Sequence, residues 1–103
     1  MTDKEEFYSV IISYDVSGER QSEVKNQLLK KGYVDTVTGD DGIVVKLPKS
    51  TLYKEKEGTV KIAFNDVVQA VAETNKDLKS DEPETNLERF IATKELPWCG
   101  YSI

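Results

Sequence analysis

From Phe7 to Val16 the chain carries apolar or aromatic side chains at almost every position: Phe7-Tyr8-Ser9-Val10-Ile11-Ile12-Ser13-Tyr14-Asp15-Val16. So little alternation predicts a strand in the middle of a sheet, or one covered on both faces. Asp15 is the first charged group at the rim of this expected core strand. Beyond it the period changes. Ser17 reads as an N-cap and Glu19 suits the first turn of a helix over about 18–31, with Val24, Leu28 and Leu29 turned inward. Lys30 and Lys31 in the last turn, then Gly32 and Tyr33, mark its stop.

Tyr33–Thr38 predicts a short strand, Gly39-Asp40-Asp41-Gly42 a tight turn, and Ile43–Leu47 a further extended stretch broken by Pro48. Ser50–Lys54 predicts another short strand, followed by the charged Glu55-Lys56-Glu57 and a break at Gly58. Val60, Ala63, Phe64, Val67, Val68, Val71 and Ala72 then recur at helical spacing, which predicts one helix over about 59–75 with Val60, Phe64, Val67, Val68 and Val71 facing the sheet. A strand over Thr59–Phe64 before a helix capped by Asn65 competes with it, since Thr, Val and Ile favour strands. A polar, acidic loop from Lys76 to Thr85 precedes a last strand at Leu87–Thr93. The chain closes on an apolar, aromatic tail, Leu96-Pro97-Trp98-Cys99-Gly100-Tyr101-Ser102-Ile103.

The order β-α-β-β-α-β plus a tail predicts an α+β, ferredoxin-like domain: a four-stranded antiparallel sheet with two helices on one face. At 103 residues the chain fits a single domain, with residues 1–6 and part of 76–86 expected to be loose.

Composition narrows the chemistry. There is no histidine, which excludes histidine bases, Ser-His-Asp and Cys-His nucleophile systems and the common zinc sites. The one cysteine, Cys99, has no partner for an internal disulfide, and the acidic start lacks the basic-then-apolar order of a signal peptide; a reducing cytoplasm is the expected compartment. No apolar run is long enough for a membrane span. The net charge of −5 opposes general nucleic-acid binding, yet residues 20–61 hold nine Lys/Arg against six Asp/Glu. Lys46, Lys49, Lys54 and Lys56 are therefore the expected phosphate-facing side chains if nucleic acid is bound, and otherwise a solvated face.

A first strand ending Tyr14-Asp15-Val16-Ser17, then a helix, Gly32-Tyr33, and a Ser50-Thr51-Leu52-Tyr53 strand together resemble the small ferredoxin-fold CRISPR-associated protein 2 group. The Phe7…Ser13-Tyr14-Asp15 start and the Gly42–Leu47 stretch are similar to its GhoS-type endoribonuclease-antitoxin relatives. The resemblance implies a homodimer. It also implies either a metal-dependent endoribonuclease acting through Asp15 or a non-catalytic assembly, antitoxin or regulatory module. Under the first reading Asp15 is both the catalytic residue and a ligand for Mg2+, paired across a two-fold axis with its counterpart. Under the second it is a turn or capping aspartate beside Ser17.

Arg20 is the only arginine before Arg89, and the chain is acidic, both departures from the group's pattern. The binding module is accordingly the preferred expectation, with the nuclease as its alternative and RNA or protein as its partner. Trp98 and Tyr101 belong to residue types that dominate interfaces, and they are expected at the contact between two copies. Asp40-Asp41, Ser50-Thr51, Gly58-Thr59 and Cys99 read respectively as a turn, strand residues, a helix start and a quiet thiol.

Overall fold

Strand β1 (Tyr8–Val16) is the centre of a three-stranded antiparallel sheet, with β4 (Thr51–Gly58) on one side and β5 (Leu87–Lys94) on the other. The computed structural model describes residues 7–39, 41–76, 78 and 82–94. Two helices, α1 (Gln21–Lys30) and α2 (Val60–Asn75), cover one face of this sheet, and β2 (Thr36–Thr38) and β3 (Val44–Lys46) form a separate hairpin. The central place expected for β1 is observed, and among the described residues the helices cover one of its faces. Val10, Ile12, Tyr14 and Val16 are buried under the helices, whereas Ile11 and Ser13 are half-buried and Asp15 is exposed.

Helix α1 begins later than expected. Its N-cap is Arg20, whose side chain makes no capping bond, although its carbonyl accepts from the Glu23 and Val24 amides. Ser17 serves another purpose. Its amide donates to the Asn86 carbonyl and its Oγ accepts from the Asn86 amide, clipping the end of β1 to the residue before β5. At the other end the expected stop is observed. Gly32, at φ +98°, donates to the Leu29 carbonyl and Tyr33 donates to the Leu28 carbonyl. These paired bonds satisfy two carbonyls the helix leaves open, and they require the left-handed backbone that glycine adopts without strain.

Helix α2 is one continuous helix, as its seven periodic positions predict. Thr59 caps it, accepting at Oγ1 from the Ile62 amide. Strand β4 runs past the expected end at Lys54, through the charged stretch to Gly58, and reaches the cap within one residue. The buried face of α2 is turned from the expected one: Ala63, Val67, Ala70, Val71 and Thr74 are buried, while Val60, Phe64 and Val68 are exposed. The reason lies in α1. Ala63 and Ala70 share one core with residues of both α1 and the sheet, so the stripe of α2 that is buried is the one facing both. Val24 and Leu28 of α1, Val67 and Ala70 of α2, and Val10, Ile12 and Leu52 of the sheet then fill a single core.

The expected four-stranded sheet is realised only in part. Val34 makes one antiparallel bridge to Tyr53 of β4, with both backbone bonds formed at 2.8 and 2.9 Å, and the pairing stops there. The next residue is the cause. The Asp35 carbonyl accepts from the Leu47 amide and its carboxylate from Lys25 Nζ at 2.9 Å, so the chain turns away from β4 to pair with β3. The hairpin turn read from Gly39–Gly42 is observed at the described positions, with Gly42 at φ +81° and the Asp41 carboxylate accepting from the Ile43 amide. No helix among the described residues is long and apolar enough to cross a membrane.

Candidate functional site

A hollow of about 430 Å³ opens where β1 ends and α1 begins. Tyr14, Gly18, Glu19, Gln21, Ser22, Lys25, Lys49 and Ser50 line it. The turn that carries Lys49 and Ser50 is held on both sides: Thr51 donates to the Pro48 carbonyl and Tyr14 to the Ser50 carbonyl. Ser50 takes φ +62°, the one positive φ outside glycine among the described residues and a conformation that costs a side-chain-bearing residue energy. Tyr14 forms the floor, and burial pushes its phenol from 10.0 up to about 12, so it stays protonated across the ordinary pH range. Lys25 is already engaged by Asp35, whose carboxyl the Lys25 bond holds below its usual range. Two lysines, one glutamate and three neutral polar side chains can hold a small polar ligand.

Two of the expected phosphate-facing lysines, Lys49 and Lys54, are set apart. Lys49 sits at the hollow beside the start of α1. Lys54, opposite Val10 on the helix side of β4, lies with Nζ 5.1 Å from the centre of the Tyr33 ring, under the far end of α1. A ten-residue helix separates those ends by about 15 Å. Lys46 lies on the β3 hairpin. The side chain of Lys56, and Trp98 and Tyr101, lie outside what the structure describes.

Asp15 projects from the face of the sheet away from the helices. Its nearest charged neighbour is Arg89, across the strand pair at 3.8 Å, with both side chains more than half exposed. It caps no helix, and the turn role expected beside Ser17 is not seen. Nor do the residues of one chain fit a magnesium site: a single carboxylate faces an arginine, and no three Asp, Glu, Cys or His side chains cluster among the described residues.

That open face is the feature the sequence reading missed. Register sets it out in rows. Tyr53, Ile11 and Thr93 form one, Thr51, Ser13 and Ile91 the next, and Asp15 with Arg89 the last. Ser13 Oγ and Thr51 Oγ1 are 3.3 Å apart within the middle row. Ile91 is 68% exposed, the highest value of any large hydrophobic residue described. The alternation of Phe90 and Ala92 with Ile91 and Thr93 carried the signal for two faces, but only pairing with β1 shows which one the helices leave bare.

No protein family, curated protein or solved structure matches this chain in comparisons of its sequence and fold.

Proposed function

We propose that the chain is a small binding or regulatory module that works as a homodimer, joined through the open face of its sheet. The architecture we assign it is ferredoxin-like, with the Val34–Tyr53 bridge standing for the fourth strand. In plan it resembles the CRISPR-associated protein 2 group and its antitoxin relatives, in the cytoplasm, with RNA or protein as the partner of the dimer.

The observation that carries the dimer is Ile91, exposed at the middle of a face whose other central side chains, Ile11, Ser13, Thr51, Tyr53 and Thr93, are all uncharged. Such a face gains by burial against another. A second copy fits it because the charges at its end, Asp15 and Arg89, are of opposite sign. A two-fold axis that runs along the strands would set Asp15 of one copy against Arg89 of the other, so that opposite charges meet. The nuclease alternative has no comparable observation behind it, since among the described residues no three Asp, Glu, Cys or His side chains cluster around Asp15 or elsewhere.

Light scattering at tens of micromolar tests the reading. A dimeric mass is expected for the intact chain and a monomeric mass for Ile91→Lys, with unchanged helical circular dichroism in both. A monomeric intact chain would refute the proposal.

A further inference from the structure

The outer flank of α2 is apolar where a helix of this kind is normally polar. Val60, Phe64 and Val68 lie four residues apart, one above the next along the helix, and each is between 36% and 45% exposed. Contacts fix where this ridge points. On the opposite flank, Asp66 accepts from the Tyr33 hydroxyl and Gln69 from Lys31 Nζ, so that side looks toward α1. On the ridge side, the Phe64 ring meets Phe90 of β5 edge to face at 5.3 Å, and Asn75 bonds both the amide and the carbonyl of Thr85 just before β5. The ridge therefore overhangs the outer edge of β5. Among the described residues β5 is an edge strand, so its outward amides and carbonyls form a row open to another strand. An apolar wall beside such an edge is a groove for one extended segment.

We propose that this groove is the seat of the chain's own last segment, residues 95–103, folded back antiparallel along β5. The exit point of the chain supports it. Lys94 ends β5 with its Nζ 5.0 Å from the centre of the Tyr8 ring, and the Tyr8 hydroxyl accepts from the Val60 amide at the first residue of α2. The chain thus leaves the sheet at the head of the ridge. Pro97 suits the turn, since its fixed φ favours a bend and it offers no amide to a ladder.

Trp98 to Ile103, six extended residues, reach about 20 Å. Val60 to Val68 rises about 12 Å along the helix, so the reach is sufficient. Residues 96–103 also carry no charged side chain, and Leu96, Trp98, Tyr101 and Ile103 match the ridge in character. A second copy's tail is the competing occupant. A three-residue connection, however, holds the chain's own segment at an effective concentration on the order of millimolar, above that of a second copy in dilute solution.

The chain holds one tryptophan, Trp98, which makes its fluorescence a direct reporter. In the intact protein the emission is expected to lie to the blue of the urea-unfolded chain and to resist acrylamide. It should not change on dilution from tens of micromolar to below one micromolar. Val68→Asp alters a side chain already exposed to water, so the fold survives as judged by circular dichroism. The emission should then move to the red and quenching should rise several-fold. Phe64→Asp should do the same. A red, freely quenched emission in the intact chain overturns the proposal. So does an emission unmoved by Val68→Asp, or one that reddens on dilution, which would assign the groove to a second copy. Because Ile91→Lys lies on the other face of the sheet, loss of the dimer leaves this readout unchanged.

Discussion

Tyr33→Phe removes one oxygen from the junction of the two helices and changes little else. Tyr33 is 2% exposed, anchors the end of α1 by donating its backbone N–H to the Leu28 carbonyl, and donates its hydroxyl to Asp66 of α2 at 2.9 Å. Burial, together with that acidic neighbour, pushes its phenol well above the usual range, so it is a donor at every ordinary pH. A hydrogen bond to a charged acceptor contributes about 1.5–3 kcal/mol. Asp66 is only half-buried and water can replace the lost donor, which brings the expected cost to about 1–1.5 kcal/mol. The ring remains, and with it the core contacts and the Lys54 ammonium above it.

The assay is urea unfolding followed by circular dichroism, with Tyr33→Phe, Asp66→Asn and the double variant. At about 1 kcal/mol the melting temperature of a domain this size falls roughly 4–8 °C. The slope of free energy on urea should be unchanged, because the surface exposed on unfolding is the same. The double variant should cost less than the sum of the two singles by at least about 0.5 kcal/mol. A single-variant cost below about 0.3 kcal/mol, or costs that simply add, would show that this bond does not join the helices.

Thr59→Ala should destabilise the domain by about 1 kcal/mol, because it removes the N-cap hydroxyl of α2, and Thr59→Ser should restore most of that loss in the same urea titration. On the alkaline side, an unfolded Tyr14 ionises near 10.0 while the folded one holds its proton to about 12. Its contribution is therefore intact below pH 10 and is lost as the pH rises toward 12, where the unfolded chain releases the proton that the folded chain keeps. Melting temperatures should fall across that window and fall less steeply in Tyr14→Phe; equal slopes would refute the burial argument. Asp15→Asn should leave the melting temperature of the monomeric Ile91→Lys variant unchanged, since its one charged contact within the chain among the described residues is long and exposed. The chain should leave RNA intact with magnesium present, and cleavage that Asp15→Asn abolishes would establish the nuclease reading instead.

Much of the scaffold is written locally. The β-branched run at Val10–Ile12 makes the central strand, Gly32 after two lysines stops α1, and the helical spacing from Val60 to Ala72 makes α2 against the local strand propensity of its first residues. Each follows from backbone sterics or from the period at which apolar groups recur, and both act within a few residues. Which side of an element is buried depends on neighbours far away in sequence. The rotation of α2 comes from its contact with α1, and the departure of β2 from the sheet comes from Asp35 meeting Lys25 and Leu47. The open face of Ile11, Tyr53 and Ile91 and the pairing of Asp15 with Arg89 were decided in the same way. Those residues lie from 38 to 80 positions apart in the chain, and only strand register, set by the whole core at once, places them side by side.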